Sequence, residues 1–145
     1  MKLLESHIAK TCTDCLVLDD WRPIKMEPIS RREWGKGTGE KGMADYLYIR
    51  YPEPQEWGES WPHLKMLTPI RVKAMVMWIE WKRLRGKAKL HQKAWHDQER
   101  ARGALTLIAG EDFPATPEGF FAHSAASGLM RRNMTMQDGR ITVTR

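Results

Sequence analysis

The spacing of hydrophobic and polar positions changes along the chain in a way that separates helices from strands. Apolar residues recur at helical spacing over residues 3–18, which predicts a first helix. Residues 21–29 and 42–51 are rich in aromatic and branched side chains and predict two strands, the first at a sheet edge or with irregular ends because it contains two prolines. The apolar run over residues 74–79 predicts a third strand that is buried in the domain.

The same change from helical to strand spacing occurs once more after the third strand. Leu90, Ala94 and Ala101 form an apolar stripe that predicts a second helix, and Gly103 supplies its C-terminal end. Residues 105–109 are almost entirely apolar and predict a last buried strand.

The remaining segments complete a single α/β domain. Residues 117–127 predict a short final helix, and residues 128–145 form a basic tail in which residues 141–144 could be a strand. The predicted order is α-β-β-β-α-β, with a mixed sheet flanked by helices. Residues 52–73 form an insertion between two strands that is far longer than a hairpin needs.

The charged residues at the end of the third strand carry the chemistry. Glu80 and Lys82 are two positions apart, so they point to the same side of an apolar strand. If the strand at residues 42–51 runs antiparallel to it, Asp45 lies beside Glu80. Two carboxylates and a lysine then meet at one point, and carboxylate oxygens are the ligands that Mg²⁺ and Mn²⁺ prefer.

These residues resemble the motifs of the PD-(D/E)xK nuclease superfamily, in particular its virus-type replication-repair nuclease (VRR-Nuc) branch. Gly42-Met43-Ala44-Asp45 is similar to that branch's Gly-x-Pro-Asp, and Ile79-Glu80-Trp81-Lys82 to its Ile-Glu-x-Lys. Gln92 lies where the family has a Gln-bearing helix, and Glu5 is placed like its first-helix glutamate. The resemblance covers about residues 4–130 and implies a restriction-endonuclease-like core.

The resemblance also implies a ligand set and catalytic roles. Asp45, Glu80 and the Trp81 main-chain carbonyl are expected to ligate Mg²⁺ or Mn²⁺, with Glu5 reaching the ion directly or through water. Lys82 is expected to orient or help deprotonate the attacking water, and Gln92 to position that lysine or the water.

Three departures from the family pattern affect substrate choice rather than the carboxylates or the lysine. Ala44 replaces the usual proline before Asp45, and the insertion at residues 52–73 separates the two catalytic strands. Lys89 stands where the family often has a helix-capping serine, so the second helix is expected to begin without a good N-cap.

The charge balance favours a polyanionic partner. The chain carries 24 Lys and Arg against 18 Asp and Glu, a formal net charge of +6. Between Lys82 and Arg102 there are eight basic residues and two acidic ones, directly after the proposed site. The residues expected to follow the phosphate backbone of DNA are Arg31, Arg32, Lys36, Lys41, Arg83, Arg85, Lys87, Lys89 and Lys93.

The compartment and the two cysteines are predicted from simpler patterns. No run of eighteen apolar residues and no signal-peptide pattern occurs, so we expect a soluble protein of the cytoplasm, or of the host-cell cytoplasm if a phage encodes it. Cys12 and Cys15 form a C-x-x-C without a second pair, and two half-buried thiols are expected rather than a zinc site.

The resemblance implies a homodimer that cuts branched DNA such as Holliday junctions. One domain holds one active site, so paired cuts need two subunits, and surplus apolar surface could form the interface. The candidates for that surface are Trp57, Trp61, Phe120, Phe121 and Met130. Trp57 and Trp61 could instead stack on unpaired bases. A restriction-like or flap/duplex nuclease, and a catalytically silent DNA-binding module on the same fold, remain the alternatives.

Overall fold

A computed structural model describes residues 4–26, 42–51, 74–138 and 140–144 of the chain. The predicted insertion at residues 52–73 and the basic residues Arg31, Arg32, Lys36 and Lys41 lie outside the described residues, as do Trp57 and Trp61.

The described elements are three helices and six strands in the predicted order. The helices are α1 (Glu5–Leu18), α2 (Leu90–Ala101) and α3 (Pro117–Ser127). The strands are β1 (Trp21–Lys25), β2 (Tyr46–Arg50), β3 (Met75–Glu80), β4 (Leu105–Ile108), β5 (Asn133–Gln137) and β6 (Arg140–Thr144). The α/β class and the mixed sheet are therefore confirmed, and so is the strand in the basic tail, whose hairpin partner β5 the sequence pattern did not indicate.

The main sheet has the order β1-β2-β3-β4. The first three strands are antiparallel neighbours, whereas β4 runs parallel to β3. A parallel pair needs a crossover connection, and α2 provides it. The strands β5 and β6 form a separate two-stranded sheet.

Two helices cover one face of the sheet and the third covers the other. Tyr48, Met77 and Ile79 lie in one buried cluster with apolar residues of α1 and α3. On the opposite face Trp78 meets Trp95 of α2 edge to face, with ring centroids 5.2 Å apart. Trp81 lies on the face of the sheet opposite to Trp78, where it contacts Phe120 of α3.

Three expectations about apolar side chains are wrong. The predicted apolar stripe of α2 is exposed at Leu90, Ala94 and Ala101, and the buried residues of that helix are Trp95 and His96. Cys12 and Cys15 are not half-buried but fully buried free thiols, because they lie on the face of α1 that packs on the sheet. Burial raises the pKa of Cys15 to about 11. Phe120 is not surplus surface, since it is fully buried against Trp81 and Phe113, while Met130 packs partly buried against the same core. None of the helices in the described part of the chain is long and apolar enough to cross a membrane.

A buried ion pair joins the start of the sheet to the segment that follows α3. The Asp19 carboxylate, fully buried, accepts hydrogen bonds from the Arg50 guanidinium at 2.7 Å and from the backbone N–H groups of Arg131 and Arg132, both at 2.8 Å. Arg50 also donates to the Leu129 carbonyl at 2.9 Å. A buried charge with this many donors is stable only while its partners are present.

Removing the Asp19 charge should therefore destabilise the fold strongly. Asp19→Asn leaves the Arg50 guanidinium buried without its counter-ion, so we expect the free energy of unfolding to fall by about 3 kcal/mol. Urea denaturation followed by circular dichroism measures the change. The matched control is Asp14→Asn, which breaks the exposed Lys10–Asp14 pair on α1, the helix that ends just before Asp19, and should change stability by less than about 1 kcal/mol. Equal effects of the two variants would contradict a structural role for Asp19.

Candidate active site

The register of β2 and β3 brings the two predicted carboxylates together. Tyr46 pairs with Ile79, so Asp45, the residue just before β2, lies at the position opposite Glu80. The residues that follow β1 and β4 donate hydrogen bonds to the main chain of both acids. The Asp45 carbonyl accepts from the Met26 N–H at 2.8 Å, and the Glu80 carbonyl accepts from the Ala109 N–H at 2.9 Å. The antiparallel arrangement expected from the sequence is confirmed.

Glu80 is the centre of the site. Its side chain is fully buried, although it is a carboxylate at the end of a strand. Its Oε1 atom accepts hydrogen bonds from the Lys82 ammonium and from Gln92 Nε2, the latter at 2.5 Å. Its Oε2 atom is buried and has no hydrogen-bond partner of good geometry among the described residues, while the neighbouring Asp45 interacts with the Glu80 carboxyl group through its side chain and its backbone. One oxygen is thus held by two donors, and the other keeps its ligand capacity.

Gln92 connects the start of α2 to this carboxylate. Its amide nitrogen donates to Glu80, while its Oε1 accepts the backbone N–H of Lys89 at 2.9 Å. Lys89 is the N-cap residue and its side chain makes no capping hydrogen bond, as expected from the sequence. Gln92 was expected to position the lysine or the water, but its observed contact is with Glu80. It fixes the carboxylate that Lys82 also contacts.

Burial and mutual repulsion disfavour ionisation of both carboxyl groups. Burial raises the pKa of Glu80 to about 7; the hydrogen bond from Lys82 opposes this rise, and the charge of Asp45 adds to it. The pKa of Asp45 is also raised, chiefly by burial, with the Lys82 charge acting against the rise and the Glu5 charge reinforcing it. A cation bound between the two carboxylates would offset both the cost of burying their negative charges and the repulsion between those charges.

The donor set fits a hard divalent cation. The free Oε2 of Glu80 and the neighbouring Asp45 carboxylate are hard oxygen donors, and Mg²⁺ is commonly held by one or two carboxylates with waters completing its coordination. Within the described ranges, no group of three or more His, Cys, Asp and Glu side chains is arranged to hold a metal ion. Glu5 is exposed at the start of α1 and acts electrostatically on Asp45. Its role and that of the Trp81 carbonyl as ligands stay predictions.

Five of the predicted DNA-contacting residues fall in the described part of the chain, next to the site. Arg83, Arg85, Lys87, Lys89 and Lys93 are all exposed. Lys93 forms an ion pair with Glu111 at 2.7 Å, so a phosphate would compete with that carboxylate for its ammonium group. The other four belong to the connection between β3 and α2 and lie between the two residues that bind Glu80.

Lys25 is a charged neighbour that the sequence pattern did not single out. It is the last residue of β1, pairs with Tyr46, and contributes a positive charge that lowers the pKa of Asp45. The pattern predicted a strand through residue 29, which placed Lys25 in mid-strand rather than at the same end of the sheet as Asp45. A strand boundary drawn at Lys25 would have revealed it.

Comparison with known proteins finds no match to this chain. No protein-family model matches it, and neither a curated protein nor a solved structure does.

The raised pKa of Glu80 predicts how the stability of the metal-free protein depends on pH. Between about pH 4.5 and about pH 7 the folded chain retains a proton at Glu80 that the unfolded chain has already released. The free energy of unfolding should therefore fall by about 3 kcal/mol across this range from Glu80, with Asp45 acting in the same direction. Chemical denaturation at several pH values in EDTA measures the loss, and Glu80→Gln should lack the part due to Glu80.

The comparison between wild type and variant is needed because the titration of His96 changes the free energy of unfolding with pH in the opposite direction. His96 is fully buried, and burial lowers its pKa to about 4, so its contribution to stability is lost as the pH falls below its ordinary value of 6.5. This contribution is the same in both proteins and cancels in the difference. A wild type and a Glu80→Gln protein with parallel pH profiles would contradict the raised pKa.

Proposed function

We propose that this protein is a divalent-metal-dependent DNA endonuclease of the PD-(D/E)xK type, similar to the VRR-Nuc branch. The observation that carries the proposal is the state of the buried Glu80 carboxylate. One oxygen is held by Lys82 and Gln92, and the other has no hydrogen-bond partner of good geometry among the described residues and lies at the strand end next to Asp45. A structural ion pair would not need a second carboxylate at this point.

Asp45 and Glu80 would hold Mg²⁺ or Mn²⁺, with Glu5 and the Trp81 carbonyl as further proposed ligands. A divalent cation bound there would supply Lewis-acid activation of the scissile phosphodiester and of water. Lys82 brings an ammonium group to the same carboxylate, where it can donate to the attacking water or to a phosphate oxygen. Gln92 keeps the Glu80 carboxylate in place, so that its Oε2 atom would remain available to the proposed ion.

DNA is the proposed substrate because the site is bordered by exposed cations. Four basic residues lie on the connection that starts beside Lys82 and ends beside Gln92, with no acidic residue among them. Such a surface binds a phosphate backbone through counterion release. The finer proposal, a homodimer that resolves branched DNA by paired cuts, follows from the family resemblance. It rests on the argument that one domain supplies one site.

Loss of either carboxylate should abolish cleavage and leave DNA binding largely intact. With Asp45→Asn or Glu80→Gln, we expect less than about one-thousandth of wild-type cleavage in Mg²⁺ or Mn²⁺, because the ion loses a charged ligand. Binding should change little, since phosphate contacts come from other residues. The assay is a panel of end-labelled four-way junction, flap and linear duplex, run with Mn²⁺, Mg²⁺ and EDTA.

The control for this panel is Asp14→Asn, which alters an exposed carboxylate on α1 and should cut like wild type. Paired symmetric nicks in the junction would support the resolvase proposal, whereas single nicks in flap or duplex would support the restriction-like or flap alternative. DNA binding without cleavage of any substrate by the wild type would favour the silent binding module. Full activity in Asp45→Asn would overturn the site.

Substitution of Lys82 should lower turnover more than substitution of Gln92. Lys82→Ala removes the ammonium group from the reacting atoms, and turnover should fall by about 10²–10³-fold. Gln92→Ala removes only a hydrogen bond to the carboxylate, so we expect a fall of about 10–10²-fold, with weaker apparent Mn²⁺ affinity. Single-turnover cleavage over a Mn²⁺ titration measures both.

The controls for these two variants are Lys10→Ala, an exposed lysine of α1, and Gln98→Ala, an exposed glutamine of α2. If Gln92→Ala left both turnover and Mn²⁺ affinity at the level of Gln98→Ala, the positioning role of Gln92 would be wrong.

A further inference from the structure

The connection between β3 and α2 is closed onto the candidate active site at both ends. Lys82 lies near its start, Gln92 lies in the first turn of α2, and both side chains bind the same oxygen of Glu80. Residues 83–91, which comprise most of this connection and the first two residues of α2, are called the site loop below; they lie between the two residues that bind Glu80. Leu84 is two residues from Lys82, and Leu90 is two residues from Gln92.

Two leucines of the site loop are exposed. The Leu84 residue is 52% exposed and Leu90 is 84% exposed, the highest exposure among the large hydrophobic residues in the described ranges. Leu84 lies between Arg83 and Arg85, and Leu90 directly follows Lys89. Isolated surface leucines are common, but here each is flanked by cations on a loop anchored to the catalytic carboxylate.

The backbone around these leucines is held in place. The Gly86 N–H donates to the Arg83 carbonyl at 2.8 Å, which closes a turn around Leu84. Arg85, the next residue in that turn, has a left-handed backbone with φ of 63°. Ala88 is buried, so the loop is packed against the domain between its two exposed leucines. An apolar side chain on a fixed backbone can act on a ligand without first being ordered.

We propose that Leu84 and Leu90 are apolar wedges that enter an opened base step of DNA beside the cleaved phosphate. The proposal rests on the nuclease function proposed above and adds the residues that select the substrate. The flanking cations bind phosphates on either side, and a leucine inserted between bases replaces the stacking contact that the bases lose.

This arrangement favours branched DNA for an energetic reason. Opening a stacked base step in continuous duplex is costly, whereas the step at a branch point is already partly unstacked. Cations alone bind both substrates, because both carry the same phosphate backbone. The leucines should therefore determine the preference between substrates, and the basic residues the overall affinity.

The test measures base unstacking and binding in EDTA, so that cleavage does not interfere. The probe is a four-way junction carrying 2-aminopurine beside the branch point, whose fluorescence rises when the base unstacks; a linear duplex of the same sequence is the comparison. For wild type we expect a fluorescence rise on the junction and binding about tenfold tighter than to the duplex. In Leu84→Ala/Leu90→Ala, the rise should drop about fivefold and the two affinities should become nearly equal.

Three matched variants separate the wedge from other effects. Leu84→Met/Leu90→Met keeps apolar side chains of similar size and should retain the fluorescence rise. Leu18→Ala, an exposed leucine of α1, should behave like wild type. Lys87→Gln/Lys89→Gln should weaken binding to both DNAs equally and flatten the slope of log K against log salt by about one to two, with the preference unchanged.

The outcomes distinguish a failure of the wedge proposal from a failure of the nuclease proposal. If Leu84→Ala/Leu90→Ala matches Leu18→Ala in fluorescence and preference, the wedge is overturned, while cleavage that depends on Asp45 and Glu80 leaves the nuclease in place. If the leucines control unstacking but the wild type cuts no DNA with Mn²⁺, the wedge is supported and the nuclease proposal fails. A wild type that binds neither DNA overturns both.

Discussion

A carboxylate buried at the end of a central strand is the constraint on which the candidate site depends. Glu80 is fully buried, yet it stays hydrogen-bonded because Lys82 and Gln92 donate to one of its oxygens. Burying a charged group is costly unless it is paired, so these two donors must keep their positions. Their positions in turn require that β3 ends at Glu80, and that α2 begins close enough for its first turn to reach back.

The sheet meets these requirements through its topology. Because β4 is parallel to β3, the chain must cross over between them, and the crossover helix α2 packs on the face of the sheet that carries Trp78 and Glu80. On the other face, the Trp81 indole donates to the Tyr48 hydroxyl at 3.0 Å, and Thr13 of α1 lies 2.8 Å from the same hydroxyl. Packing on both faces thus fixes the positions of Glu80 and Lys82, the two ion-paired residues on either side of Trp81.

Stability and proposed activity are opposed at this point. Without a cation, burial and the neighbouring Asp45 raise the pKa of Glu80, so the protein binds a proton where the proposed ion would bind. A proton and the proposed metal ion would therefore compete for the same oxygens. The Asp19–Arg50 pair is different, because the Asp19 carboxylate is saturated with donors and has no remaining ligand capacity. The two buried carboxylates thus differ in their partners, and Glu80 alone of the two keeps an oxygen for the proposed ion.

The sequence by itself determined most elements and the approach of Asp45 to Glu80, because strand alternation and antiparallel pairing are local rules that the residue pattern displays. It also indicated Gln92 through a family resemblance, but not that Gln92 binds Glu80, since that contact depends on how α2 packs. Tertiary structure alone decided the depth of Cys12, Cys15 and Phe120, the presence of Lys25 near Asp45, and the exposure of Leu84 and Leu90. These properties depend on which surfaces of separate elements meet, and a pattern read along one chain does not contain that information.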